Sequence, residues 1–110
     1  MQIIKPSLNY MGKFAVENPK YQFINWTDEY ILTMIAAVDD GTKYGRNLRH
    51  EMVGSYDALK QVYDANRSDC IYAVLSQIRV LGDGSKDSNV RHYKMDGHMV
   101  PEGFQFKGVA

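Results

Sequence analysis

The feature that most constrains this chain is the tripeptide Asp39-Asp40-Gly41, which separates a continuous apolar run from an alternating one. From Glu29 to Val38 nearly every side chain is apolar. After the tripeptide, Tyr44, Arg46, Leu48, His50 and Met52 alternate with Lys43, Gly45, Asn47, Arg49 and Glu51. A period of two belongs to a half-buried strand. An acidic turn closed by glycine joins two antiparallel strands when the glycine takes the left-handed position. The pattern predicts a hairpin folded at Asp39–Gly41, with Gly45 as a bulge. A helix over 29–38 is the competing reading, with Thr27 as its cap, Asp28 and Glu29 in its first turn and Gly41 as its stop.

The clearest helix signal covers about 56–66. Ser55 can accept a bond from an orphan backbone N–H at the start, and Asp57 suits the positive end of the dipole. Leu59, Val62 and Tyr63 form one apolar stripe. Cys70 to Leu81 again fits two states. Ile71, Val74, Leu75, Ile78 and Leu81 recur at helical spacing, while the density of β-branched and aromatic residues fits a central strand. The short polar connection after the helix favours the strand.

Residues 82–89 read as a polar loop. Val90–Met95 and His98–Val100 read as a hairpin with Asp96-Gly97 as its two-residue turn. Pro101 belongs at a strand end or edge. Glu102-Gly103 is a further turn, and Phe104 and Phe106 read as a short strand with an aromatic face. In the first 26 residues, Leu8, Tyr10 and Phe14 alternate as along a strand, and Tyr21, Phe23 and Trp26 are expected to cover the core. The whole reads as one α+β domain, 1–110, with one main helix packed on a mostly antiparallel sheet and a β-rich C-terminal hairpin.

Composition narrows the function classes. The 13 basic and 13 acidic side chains cancel, so the chain has neither the excess of cations of a non-specific nucleic-acid binder nor the charge of an acidic mimic. Cys70 is the only cysteine, which excludes an internal disulfide. Its apolar neighbours suit a small buried hydrophobe. No stretch reaches the roughly 18 apolar residues of a membrane span, and the N-terminus lacks the pattern of a signal peptide. A cytoplasmic protein is expected, in the host cytoplasm if the source is viral. Asn25-Trp26-Thr27 and Asn66-Arg67-Ser68 match the glycosylation pattern by accident on that reading.

Constellations for catalysis are missing. The predicted hairpin puts His92 and His98 on opposite faces, so one metal cannot take both. Asp83, Ser85 and Asp87 have the spacing of a calcium loop, but Ser88 and Lys94 stand where its glycine and closing glutamate belong. The phosphate-loop and nucleophile-elbow patterns do not occur. No enzyme activity, cofactor or metal is expected.

The most suggestive surface feature is the basic segment 43–50. Lys43, Tyr44, Arg46, Arg49 and His50 are its candidate binding residues, with Lys43, Asn47 and Arg49 on one strand face and Arg46 and His50 on the other. Cations beside an aromatic can hold phosphates and stack on a base. Eight tyrosines and six methionines favour protein–protein contact instead, because both give large, adaptable contact area. In style the chain resembles the small accessory proteins of phages and mobile elements, which commonly bind and block a host enzyme or defence complex. The expectation is a non-enzymatic protein-binding module, as such an inhibitor or as a homodimer. The alternative is a nucleic-acid-binding domain using segment 43–50.

Overall fold

The computed structural model describes residues 3–4 and 18–109. Among the described residues, six strands form one sheet, crossed on one face by one α-helix. In chain order these are β1 (Ile3–Ile4), β2 (Ile24–Asp39), β3 (Arg46–Gly54), α1 (Tyr56–Asn66), β4 (Tyr72–Val80), β5 (Lys86–Met95) and β6 (Met99–Pro101). The strand expected at Leu8, Tyr10 and Phe14 lies outside the described residues.

The apolar run is the centre of the sheet, and it is a strand. Tyr30 to Val38 pairs antiparallel with Gly54 to Arg46 along one edge, and Tyr30 to Ile35 pairs with Gln77 to Tyr72 along the other. β4 stops there, leaving residues 37–39 with unfilled backbone groups on that edge, and β6 fills them as a short parallel strand. β5 flanks β4 and forms the far edge. The β3–α1–β4 connection carries the chain over β2, because β3 and β4 run in the same direction on either side of it.

Local chemistry explains the elements. The β2–β3 loop spans 40–45, longer than a three-residue turn, and is stitched by Asp39 and Asp40. Their carboxylates accept from the Gly41 and Thr42 N–H groups at 3.1 and 3.0 Å. Gly41 (φ +86°) and Gly45 (φ +68°) take the left-handed region. Gly45 is therefore the closing residue of the loop rather than a bulge within β3. A Cβ there would lie 2.4 Å from the Val38 carbonyl oxygen. Ser55 caps α1 as expected, its Oγ accepting from Ala58 N–H at 3.3 Å.

The core lies between α1 and one face of the sheet. It holds Leu32, Met34, Ala36 and Val38 from β2, Leu59 and Tyr63 from α1, Ala73 and Leu75 from β4, and Cys70, Val100 and Phe106. Burying each large aliphatic side chain contributes about 1.5–3 kcal/mol.

Four further expectations need correction. Asp96-Gly97 is not a two-residue hairpin turn. Gly97 lacks the positive φ such a turn requires, Asp96 N–H donates to the Ile71 carbonyl at 3.0 Å, and the following strand joins β2 instead of β5. Residues 86–89 are no loop; they open β5, with Asp87 ion-paired to Arg79 across the β4–β5 ladder. Phe104 and Phe106 form no strand, but stack edge to face at 5.3 Å over the helix side of β3 and α1. Phe23 is exposed rather than covering the core.

The tail from 102 to 109 is held by Asn66, which is fully buried. Its amide donates to the Lys107 and Val62 carbonyls at 2.9 and 2.8 Å, and its Oδ1 accepts from Lys107 N–H at 2.7 Å. Such a residue has no amide to spare for a glycan.

Two substitutions probe these constraints by chemical denaturation. Asn66→Ala strands the Lys107 backbone groups and is expected to cost about 1–3 kcal/mol. Gly45→Ala is expected to cost about 2 kcal/mol or more, through both its φ and the collision with Val38, against about 1 kcal/mol at the open Gly41. Equal costs at the two glycines would refute the close approach.

Candidate interaction face

Strand pairing sorts side chains onto two faces. On the face away from α1, β2 presents Ile31, Thr33, Ile35 and Ala37. In register with them stand Val53, Glu51, Arg49 and Asn47 of β3 on one side, and Ser76, Val74 and Tyr72 of β4 on the other. Met95, Tyr93 and Val90 of β5 continue the rows outward. Among the described residues no second layer lies on this face. Val53 (58%), Val90 (55%), Tyr93 (55%) and Met95 (61%) on the outer strands are largely exposed, Ile31, Ile35 and Tyr72 are half-buried, and Ala37, Val74 and Ser76 are buried.

The aromatic side chains here are ordered against one another. Tyr72 and Tyr93 meet edge to face at 6.1 Å, and the Tyr93 hydroxyl donates to Met95 Sδ at 3.5 Å. Charge is confined to the margin, where Arg49 and Glu51 form an ion pair on β3. An apolar centre with a polar rim is the anatomy of a protein-binding patch.

The expected site residues are not brought together. Lys43 and Tyr44 lie in the β2–β3 loop rather than on a strand, the Lys43 ammonium resting 5.3 Å from the Tyr44 ring centre. Arg46 and His50 fall on the helix side, and His50 packs against Phe106 at 6.2 Å. Arg49 falls on the opposite face and is held by Glu51. The cations of segment 43–50 thus point in three directions and form no single stripe.

Ile35, Tyr72, Val90, Tyr93 and Met95, which the sequence pattern did not single out, are the accessible apolar residues of this face. A signal was present. β2 and β4 are apolar at both parities, which is the pattern of strands covered on both faces.

The remaining chemistry is dispersed. Among the described residues no group of three or more His, Cys, Asp or Glu could hold a metal, and no helix is long and apolar enough to cross a membrane. Burial pushes the Cys70 thiol up to about 11, so it stays protonated at neutral pH. His92 lies under α1, between the rings of Tyr56 and Tyr63, each 5.7 Å away. The Tyr56 hydroxyl and His92 Nε2 share a hydrogen bond at 2.7 Å, in which the hydroxyl donates when the neutral ring carries its proton on Nδ1. Desolvation, reinforced by Lys60 and Arg91, holds the His92 pKa below its ordinary 6.5; Asp64 acts weakly the other way.

Compared with protein-family models, curated proteins and solved structures, the chain matches none.

The His92 environment sets a pH dependence. Its folded pKa is depressed, so the unfolded chain binds the proton more readily, and stability fully present above the ordinary 6.5 is lost as pH falls from there through the lower folded value. Urea midpoints should drop between pH 7.5 and 5.5, and His92→Gln should flatten the drop. An unchanged slope in the variant would show that His92 does not carry it.

Proposed function

We propose that this chain is a protein-binding module whose binding surface is the sheet face opposite α1. One observation carries the reading: β2 and β4 are built from apolar residues on both faces, yet the only described helix covers one. Exposed apolar patches on monomeric proteins rarely exceed a few hundred Å², and larger ones mark interaction sites. Tyr72, Tyr93 and Met95 are of the residue types enriched in such surfaces. Blocking a larger complex, as small phage accessory proteins do, is one use of such a face.

The edges of the sheet support the face as the surface. β5 is an outer strand of ten residues, and it carries the marks of a protected edge. A register shift between Leu75 and Ser76 leaves Arg91 without a partner across the ladder, and Lys86 and Lys94 flank it. Bulges and lysines of this kind discourage strand addition.

The test is capture by the immobilised chain, both from a lysate and of a second, differently tagged copy. Val53→Lys and Tyr93→Glu should abolish stoichiometric recovery of the partner, while the triple change of Lys43, Arg46 and Arg49 to alanine should leave it within about twofold, as peripheral charges affect binding little. Recovery that survives both face substitutions would overturn the reading. Recovery lost only in the triple variant, with salt-sensitive nucleic-acid binding, would favour the basic segment.

A further inference from the structure

We infer that the groove between α1 and the middle of β5 holds a phosphate monoester. The site lies on the helix side of the sheet, away from the proposed binding face, and stands independently of it. It begins with the irregularity in β5. Leu75 pairs with His92 and Ser76 with Val90, so Arg91 is one residue too many for the ladder. Side chains of a regular strand alternate faces, whereas a bulge re-aims one of them. Leu75 belongs to the core beneath α1, so His92 opposite it points to the helix. Arg91 turns the same way, its guanidinium 5.0 Å from the Tyr56 ring centre. Two consecutive side chains of one strand therefore reach the same helix.

The helix meets them with one face. Tyr56, Lys60, Tyr63 and Arg67 recur at the three- and four-residue steps that align side chains along a helix, and Arg67, the capping residue, keeps helical angles (φ −56°). Tyr56 and Tyr63 flank the His92 ring, and the Lys60 ammonium rests 5.8 Å from the Tyr63 ring centre. Arg67 is near enough to act electrostatically on both Asp64 and His92. The rings hold the Arg91 and Lys60 cations in place without neutralising them.

Charge names the ligand. Lys60, Arg67 and Arg91 converge on His92, and Asp64 is the one acid among the groups acting on it. Asp64 accepts from the Lys60 ammonium through both oxygens at 2.7 Å. Neither arginine has an ion pair among the described residues. Three cations against one carboxylate leave two positive charges uncompensated, in a chain that is neutral overall. A phosphate monoester carries about −1.5 to −2 at neutral pH, and its oxygens match guanidinium forks in pairs. A single carboxylate would leave one charge over. His92 adds a donor. Its bond to the Tyr56 hydroxyl is the one hydrogen bond of the ring among the described residues, so a neutral ring with Nε2 taken in this way presents Nδ1–H to the groove.

The test follows the His92 ring resonances by NMR in the full chain at low salt. Inorganic phosphate, ribose 5-phosphate and a phosphoserine peptide are titrated in, with acetate and chloride at matched ionic strength as controls. The phosphates should shift the resonances saturably and raise the His92 pKa, because a bound anion favours the imidazolium against Lys60, Arg67 and Arg91. The tighter of ribose 5-phosphate and the peptide tells a carbohydrate source of the phosphate from a phosphorylated side chain. Arg91→Ala and Arg67→Ala should each weaken binding about 10-fold, while the triple change of Lys43, Arg46 and Arg49 to alanine should leave it unchanged. Arg67 lies off the sheet, so its variant decides the matter if loss of Arg91 disturbs the bulge, and a melting profile equal to that of the wild type shows that it folds. No saturable shift with any of the three phosphates would overturn the inference. So would a shift that acetate or chloride reproduces equally, or an affinity indifferent to Arg67→Ala.

Discussion

The backbone ladder of β2 is the interaction on which the structure depends. Its central residues Tyr30–Ile35 are paired along both edges, and every other described strand except β5 pairs with it directly. Once Tyr30–Ile35 has β3 on one side and β4 on the other, the helix between those two strands has to cross β2. The core then follows from parity alone, because Leu32, Met34, Ala36 and Val38 point at α1 while Ile31, Thr33, Ile35 and Ala37 cannot.

That parity makes the two faces unequal. On the helix side the apolar row is closed by Leu59 and Tyr63 from above and by the tail that Asn66 holds in place. The opposite row is largely apolar along β2 and β4, interrupted by Thr33 and Ser76, and meets no described layer. Hydrophobic burial stabilises a fold roughly in proportion to area, so an uncovered row of this kind is an unspent contribution that association can supply. The protected character of the β5 edge is consistent with contact through the face, since strand addition is opposed by the extra residue Arg91 and the flanking lysines.

Much of the fold was legible wherever the deciding contacts are close in sequence. The helix is announced by Ser55 and Asp57 within its own first turn, and the β2–β3 hairpin by glycine and acids within a few residues. Residues 96–101 were not legible in this way. The partner of Met99–Pro101 lies about sixty positions earlier, and its place was vacant only because β4 ends at Tyr72. The polar start of β5 resembles a loop, because an edge strand has few side chains to bury. Phe104 and Phe106 alternate like a strand but serve as packing, with the backbone of the tail bonded to Asn66 instead of a ladder. As for the site, the basic segment was visible as composition, whereas its dispersal over loop, helix side and open face was not.

By itself the sequence determined the α+β class, the capped helix at 56–66, the return of the chain after Asp39 and the burial of Cys70, since each is set by local propensity, hydrophobic period or turn chemistry. Only the tertiary structure decided which apolar residues are covered. A run that is apolar at both parities states that two layers are needed, but which row receives the helix depends on the crossover from β3 to β4. That choice buried Leu32 and Met34 and left Val53, Val90, Tyr93 and Met95 at the surface.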